Sequence, residues 1–220
     1  MPAETGRKKE MTRIKLCGLS RMQDIETANT LLPEYIGFVF APKSRRYVTR
    51  QHAAELKKHL APGIRAVGVF VDEPPENVAK IVKRGVIDLV QLHGGEDETY
   101  LRRLRELTAV PLIQAFRIRS GKDLAAAERS TADYVLLDAG AGDGKVFDWS
   151  LLENFRRPYF LAGGLDPENA GPAVRTLQPF TVDVSSGIET GGAKDPEKMK
   201  AVVSAVRAEG HRGAEERSGS

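Results

Sequence analysis

One cysteine occurs in the 220-residue chain, at the end of a short strand-like run. Alternate residues of a strand share a face, so Ile14 and Leu16 form an apolar face while Lys15 and Cys17 point the other way. A thiolate can act as a base, and a nearby ammonium group favours it over the thiol, which ordinarily titrates near about 8.5. Cys17 is therefore a candidate reactive group, with Lys15 as the residue that favours its thiolate. Free cysteine is also a frequent packing residue, and this strand alone does not separate the two roles.

Other polar residues stand at the ends of apolar runs further along the chain. Gln91 and His93 share a face of one run, Asp138 ends another, and Asp183 alternates with valines in the last. Polar groups on the inner face of a sheet are costly unless they are paired or solvated, which favours a shared site. A carboxyl group against an apolar wall retains its proton and suits a general acid. Singly, Asp138 is also explained as a turn residue and His93 as a hydrogen-bonded structural histidine, the role that we favour for His93.

A basic loop follows the second apolar run. It contains Lys43, Arg45 and Arg46 within the segment Ala41–Tyr47. Such a loop attracts an anionic ligand, although a solvated charged loop explains the same residues.

Glycine-containing loops follow the seventh and eighth runs. Gly163 and Gly164 come after one, and Ser185, Ser186 and Gly187 after the other. Glycine lets backbone N–H groups approach an anion, or adopts a positive φ. In a (β/α)8 barrel these two loops form the usual phosphate site, so we interpret them as a phosphate cradle rather than as plain tight turns.

Strand-like and helical patterns alternate along the whole chain. The strand-like runs begin near Arg13, Tyr35, Ile64, Asp88, Val110, Asp133, Pro158 and Phe180. Amphipathic helical spacing occurs at Arg50–Leu60, Glu76–Arg84, Asp97–Leu107 and Lys194–Ala208. Eight strands alternating with helices predict an α/β fold, a single-domain (β/α)8 TIM barrel. The competing fold is an open doubly wound sheet, but Cys17-Gly18-Leu19-Ser20 after the first strand is not a dinucleotide-binding glycine motif.

Helix-start signals and the composition of the chain ends predict where helices begin and where the barrel domain begins and ends. Ser20 and Thr49 are predicted to cap the first two helices, and Asp166-Pro167 to open a later one. Residues 1–10 and 209–220 are polar and predict flexible N-terminal and C-terminal tails around a barrel of residues 11–208.

Composition excludes several classes of protein. The net charge is +3, hydrophobic residues make up 41% and charged residues 29%, the balance of a soluble globular domain. No apolar run suits a membrane span, and no basic stripe with interleaved aromatics suggests nucleic-acid binding. One cysteine allows neither an internal disulfide nor a cysteine-rich zinc site, so we expect a cytoplasmic protein without a metal. We also expect a monomer or a homodimer.

Seven segments resemble the phosphoribosylanthranilate isomerase family of tryptophan biosynthesis. They occur in the family's order and cover most of residues 13–207. The segments are Ile14-Lys15-Leu16-Cys17-Gly18-Leu19, Gly37–Phe40 with Lys43–Tyr47, Val90–Gly94, Leu136–Asp138, Phe147-Asp148-Trp149, Leu161–Leu165 and Val182–Glu189. The resemblance implies a cofactor-free Amadori rearrangement of the phosphosugar N-(5-phosphoribosyl)anthranilate to 1-(2-carboxyphenylamino)-1-deoxyribulose 5-phosphate.

The resemblance also implies residue roles. Cys17 matches the general base that removes the C2 proton, and Asp138 the general acid that opens the sugar ring. Arg46 matches the arginine that binds the anthranilate end, and Asp183 a carboxylate of the active site. The two glycine-containing loops would hold the phosphate.

One segment departs from the family pattern. Ala141-Gly142-Asp143-Gly144 replaces a more glycine-rich loop and adds a negative charge. Two alternatives remain: another phosphosugar isomerase of this fold, such as the aminoaldose–ketose isomerase of histidine biosynthesis, which uses aspartate in place of Cys17, or a phosphosugar-binding protein without activity.

Overall fold

The computed structural model describes residues 11–139, 149–152 and 155–215, the last six as backbone alone. The strands are β1 Arg13–Cys17, β2 Tyr35–Val39, β3 Arg65–Phe70, β4 Leu89–Leu92, β5 Leu112–Arg117, β6 Tyr134–Asp138, β7 Tyr159–Ala162, β8 Thr181–Val184, β9 Glu189–Thr190 and β10 Ala193–Lys194. The helices are α1 Met22–Leu31, α2 Arg50–Lys58, α3 Pro75–Lys83, α4 Glu98–Leu107, α5 Gly121–Arg129, α6 Ala170–Leu177 and α7 Pro196–Glu215, and short 3₁₀ helices span Trp149–Leu152 and Ser186–Ile188.

Strands β1 to β8 form a closed parallel barrel in chain order. β8 closes the barrel against β1 with Lys15 opposite Asp183. Each of the eight strands begins within two residues of its predicted start, so the barrel prediction is confirmed. Parallel strands joined by helices direct all eight carboxyl ends to one rim, where this fold places its sites.

The alternation of side chains along each strand builds two separate apolar layers. Outward residues such as Ile14, Leu16 and Val182 pack against the helices. The barrel interior contains a second cluster, which includes Tyr35 and Phe160. The polar faces predicted for β1 and β8 therefore point into the barrel.

The ends of three helices test the capping predictions. The Thr49 hydroxyl accepts a hydrogen bond from the His52 N–H, as predicted. Ser20 does not cap α1, because the Asp24 carboxylate inside the helix accepts the N–H groups of Ser20 and Arg21. Asp166-Pro167 lies in a turn before α6, since the Asp166 carboxylate accepts the N–H of Asn169 and so stabilises a turn ahead of the helix.

The C-terminal helix is longer than the pattern predicted. α7 continues past residue 208 to Glu215, and the Glu209 carboxylate binds Arg175 of α6 with N–O distances of 2.8 and 3.1 Å. This contact stabilises the helix where a flexible tail was expected. The predicted N-terminal tail and the segment Ala141–Gly144 lie outside the described residues. No helix in the described part of the chain is long and apolar enough to cross a membrane.

Candidate active site

Lys15 lies at the centre of a polar cluster inside the barrel. Its Nζ donates to Asp183 Oδ2 at 2.7 Å, to Gln91 Oε1 at 2.6 Å and to Cys17 Sγ at 3.3 Å. Lys15 is fully buried, and Cys17 is 6% exposed. A buried ammonium requires paired acceptors, and this one has a carboxylate, an amide oxygen and a thiol.

Burial and the neighbouring positive charges shift the pKa of Cys17 in opposite directions. Burial raises the pKa of the Cys17 thiol above its ordinary value, whereas the nearby ammonium groups of Lys15 and Lys194 oppose this rise. Burial also opposes the charge on Lys15, but the Asp183 carboxylate and Cys17 together raise the pKa of that lysine. Lys15 therefore remains charged and partly offsets the effect of burial on Cys17, whose pKa stays raised.

A glycine on the neighbouring strand makes room for the thiol. Gly37 of β2 lies in register with Cys17, and a Cβ there would lie 2.7 Å from Cys17 Sγ. The sequence pattern did not single out Gly37, because its importance depends on the register between two strands.

The cluster continues across the rim toward Asp138. The Gln91 carbonyl faces Lys15, so its amide NH₂ donates to His93 Nδ1 at 3.0 Å. In a neutral ring the proton then resides on His93 Nε2, which lies 3.6 Å from Asp138 Oδ2. Asp138 is partly exposed at the end of β6. His93 thus has the hydrogen-bonded position that we favoured and also faces the candidate acid.

The two glycine-containing loops lie against each other. Gly163 and Gly164 have φ values of 99° and 67°, which favour glycine. A Cβ on Gly187 would lie 2.0 Å from the Leu165 carbonyl oxygen, so only glycine fits at this contact. The Ser185 hydroxyl donates to the Cys17 carbonyl at 3.2 Å, and Ser186 begins the 3₁₀ helix that follows. The loops after β7 and β8 therefore form one surface beside β1.

Arg46 lies directly beside the end of β1. Its side chain passes over Gly18, where a Cβ would lie 2.5 Å from Arg46 Cδ. Its guanidinium is held by Glu189, with Nε 2.6 Å from Oε1 and Nη2 3.0 Å from Oε2. Glu189 also binds Arg45 at 2.5 Å and Lys194 at 2.8 Å.

Sequence reasoning assigned no role to Glu189 or Lys194. Glu189 ends the family-like segment Val182–Glu189, which was the available signal. Lys194 was predicted only as the start of the last helix, which in the structure begins at Pro196, after the strand that contains Lys194. The described residues contain no group of three or more histidine, cysteine or carboxylate side chains that could hold a metal.

Comparisons with known proteins agree with this arrangement. The family model of N-(5'-phosphoribosyl)anthranilate (PRA) isomerase matches residues 14–205. The N-(5'-phosphoribosyl)anthranilate isomerase of Endomicrobium trichonymphae is 43% identical over 202 residues, covering 90% of this chain and 99% of the relative.

Solved structures extend the likeness to the fold. The phosphoribosylanthranilate isomerase of Thermotoga maritima has a TM-score of 0.83 at 34% identity, covering 90% of this chain and all of that one. A phosphoribosylanthranilate isomerase in complex with reduced 1-(o-carboxyphenylamino)-1-deoxyribulose 5-phosphate has a TM-score of 0.80 at 33% identity, with the same coverage. With this sequence match across the barrel, the chain belongs to the phosphoribosylanthranilate isomerase family.

Proposed function

We propose that this chain catalyses the Amadori rearrangement of N-(5-phosphoribosyl)anthranilate to 1-(2-carboxyphenylamino)-1-deoxyribulose 5-phosphate in tryptophan biosynthesis. The observation that carries the proposal is the buried Cys17 thiol, which receives a hydrogen bond from Lys15 at a rim that also presents Asp138. Family membership favours this reaction over the aminoaldose–ketose isomerisation of histidine biosynthesis.

Two proton transfers account for the reaction. Asp138 gives its proton to the furanose ring oxygen, the bond from that oxygen to C1 breaks, and the anthranilate nitrogen forms a protonated Schiff base. The Cys17 thiolate then takes the proton from C2, and the C2 electron pair neutralises the Schiff base as an enolamine. Tautomerisation of the enolamine gives the ketone. General acid–base transfers of this kind contribute about 10²–10⁴-fold each.

The neighbours of Cys17 and Asp138 support these roles. Lys15 holds positive charge beside the sulfur and stabilises the thiolate. Asp183 uses Oδ2 for Lys15, while its buried Oδ1 makes no hydrogen bond within the described residues. We assign that oxygen to a substrate hydroxyl, because a buried acceptor is costly to leave unpaired. Arg46 would bind the anthranilate carboxylate.

The phosphate is assigned to the surface made by Gly163, Gly164, Ser185, Ser186 and Gly187. Its support is the contact between the two loops and their position after β7 and β8, where barrels of this class bind phosphate.

The test follows the fluorescence of freshly prepared N-(5-phosphoribosyl)anthranilate in the presence of wild type, Cys17→Ala and Asp138→Asn. We expect turnover by wild type, and a kcat lower by about 10²–10⁴-fold in each variant. Glu209→Gln, at the α6–α7 contact and outside the residues assigned to the site, is the control and should turn over normally.

Two results would contradict the proposed reaction, and a third would contradict the role of Cys17. Turnover of the histidine-pathway substrate alone would indicate the other isomerase. Binding of the phosphosugar without turnover by wild type would indicate a binding protein. A covalent thioether on Cys17 during turnover would contradict its role as a base.

A further inference from the structure

Glu189 is a buried carboxylate at the rim, and its position is set by a small hairpin. Strands β9 and β10 pair antiparallel with Lys194 opposite Glu189. Lys194 Nζ bonds both the Glu189 carboxylate at 2.8 Å and the Ser185 carbonyl at 2.9 Å. The Arg21 guanidinium in turn donates to the Lys194 carbonyl at 2.5 Å. The hairpin is therefore attached on both sides to the loop after β8 and to the start of α1.

We propose that Glu189 is a positioning residue for Arg46 and thereby sets the preference for a carboxylated aromatic amine in the substrate. The inference deepens the proposed function and rests on its assignment of Arg46 to the anthranilate carboxylate. Glu189 itself contacts Arg46, and its effect on the substrate acts through that arginine.

The geometry of the guanidinium carries the argument. A guanidinium has five N–H donors in one plane, arranged along distinct edges. Glu189 takes the side edge of Arg46, with 2.6 Å to Nε and 3.0 Å to Nη2. No side chain in the described part of the protein bonds the end edge, formed by Nη1 and the outer hydrogen of Nη2, so this edge is open to a second carboxylate. Such two-point contacts fix orientation as well as contributing energy.

The charge balance of the cluster allows a second anion to bind. Arg45, Arg46 and Lys194 supply three positive charges against the single charge of Glu189, which leaves a local net charge of +2. Burial opposes the ionisation of Glu189, but its hydrogen bonds to Arg46 and Lys194 hold its pKa below the ordinary value. The carboxylate therefore stays charged and orders the cations without cancelling them.

Gly18 completes the arrangement on the other side of Arg46. The aliphatic part of the arginine rests on Gly18, the residue after Cys17, and a Cβ there would lie 2.5 Å from Cδ. Arg46 is thus held between the strand that carries the general base and the hairpin that carries Glu189. This places the recognition of the carboxylate beside the C2 chemistry.

The experiment compares two ligands by titration calorimetry: reduced 1-(o-carboxyphenylamino)-1-deoxyribulose 5-phosphate and its counterpart without the ring carboxylate. Wild type should prefer the carboxylated ligand, and Glu189→Gln should lose about 10–100-fold of that preference, the equivalent of a charge-assisted hydrogen bond. Affinity for the counterpart should not change. In turnover, KM should rise while kcat stays within about threefold, the signature of lost uniform binding.

The matched control is Glu209→Gln, which weakens an equivalent side-edge contact, with Arg175 of α6, outside the group of residues around Arg46. It should leave the preference unchanged.

If Glu189 acts through the arginine, Glu189→Gln should have little further effect in an Arg46→Lys background, since lysine has no second edge to orient. Should Glu189→Gln fail to fold, Glu189→Asp keeps the charge but reaches only one nitrogen, and we expect an intermediate preference.

Two outcomes would overturn the proposal. Affinity for both ligands falling in parallel would indicate only structural support by the hairpin, and an unchanged preference would indicate no role. Failure of the proposed function has a different signature: wild type would bind the ligands with a measurable preference but not turn over the substrate. The ligand ratio therefore decides the role of Glu189 whatever the turnover result.

Discussion

The two ends of the barrel interior differ sharply in chemistry. At the amino ends of the strands, aromatic rings fill the barrel: Tyr35, Tyr134, Phe160 and Phe180 contact one another with ring centroids 5.0–5.8 Å apart. At the carboxyl ends a polar cluster lies inside the barrel beside a small apolar group of Cys17, Val39 and Val69, and a buried lysine organises the polar cluster. The packed aromatic half and the polar half are therefore only a few residues apart along the same strands.

The contrast indicates how a buried charge can be maintained in a small barrel. Taking Lys15 and Asp183 out of water costs several kcal/mol, and only well-placed partners offset that cost. Such placement requires strands whose relative positions are fixed. The packed rings of the aromatic half hold the strands in these positions. Arg13 and Arg65 cover that half, with their guanidinium carbons 4.4 and 4.5 Å from the ring centroids of Phe180 and Tyr35.

The largest effect is expected from Lys15→Met in the polar half. It would leave the Asp183 carboxylate buried and unpaired, so the free energy of unfolding should fall by about 3–5 kcal/mol. It would also remove the ammonium that opposes the raised pKa of Cys17, so the rise of kcat/KM with pH should move to higher pH. Urea unfolding and a pH–rate profile measure the two effects.

The control for Lys15→Met is Arg103→Met, which breaks an exposed pair with Glu76 and should change neither quantity measurably. An unmoved pH–rate profile in Lys15→Met would contradict the electrostatic role of Lys15.

Phe160→Ala tests the apolar half. Phe160 is fully buried among the other rings, and removing a buried phenyl group destabilises by about 3–5 kcal/mol. Turnover well below the unfolding temperature should remain close to that of wild type, because the ring packs against the aromatic rings of Tyr35, Tyr134 and Phe180 at the amino ends of the strands. A loss of kcat with retained stability would show that the two halves are not separable in this way.

Alkaline pH should weaken the polar half selectively. The Cys17 thiol has a raised pKa in the folded state, so as pH rises above the ordinary value of a free thiol the unfolded chain loses the proton first. Stability from this group is present below that value and is lost as pH rises through the folded pKa. Wild type should therefore lose more stability than Cys17→Ala as pH rises through the ordinary thiol range and above it. A wild-type minus variant difference that does not depend on pH would contradict this reasoning.

The smallest effect concerns the boundary between the halves. The Thr181 hydroxyl is buried and makes no hydrogen bond within the described part of the chain. Thr181→Val replaces it with a methyl group of similar shape, and we expect about 1 kcal/mol of added stability in urea unfolding. A valine variant less stable than wild type would indicate that the Thr181 hydroxyl makes a hydrogen bond. Thr27→Val, on the exposed side of α1, serves as the control.

Much of the fold and several site residues were predictable from local patterns. Apolar runs at a regular spacing marked all eight barrel strands, and within β1 and β8 the alternation of side chains fixed which residues share a face. The same alternation placed Lys15, Cys17 and Asp183 inside the barrel. Helix starts were less predictable where a carboxylate accepts a backbone N–H in a turn that the pattern did not mark. Asp24 accepts the N–H of Arg21 in this way, and Asp166 accepts the N–H of Asn169.

The sequence by itself determined the barrel class, the family and the inward residues of β1 and β8, because these depend on residue type and on spacing along one strand. Only the tertiary structure decided which of those residues touch. The strand register joins Lys15 to Asp183, the fit of Gly187 against Leu165 joins the two loops, and a hairpin brings Glu189 to Arg46. Such contacts join residues as many as 168 positions apart, and no local pattern encodes them.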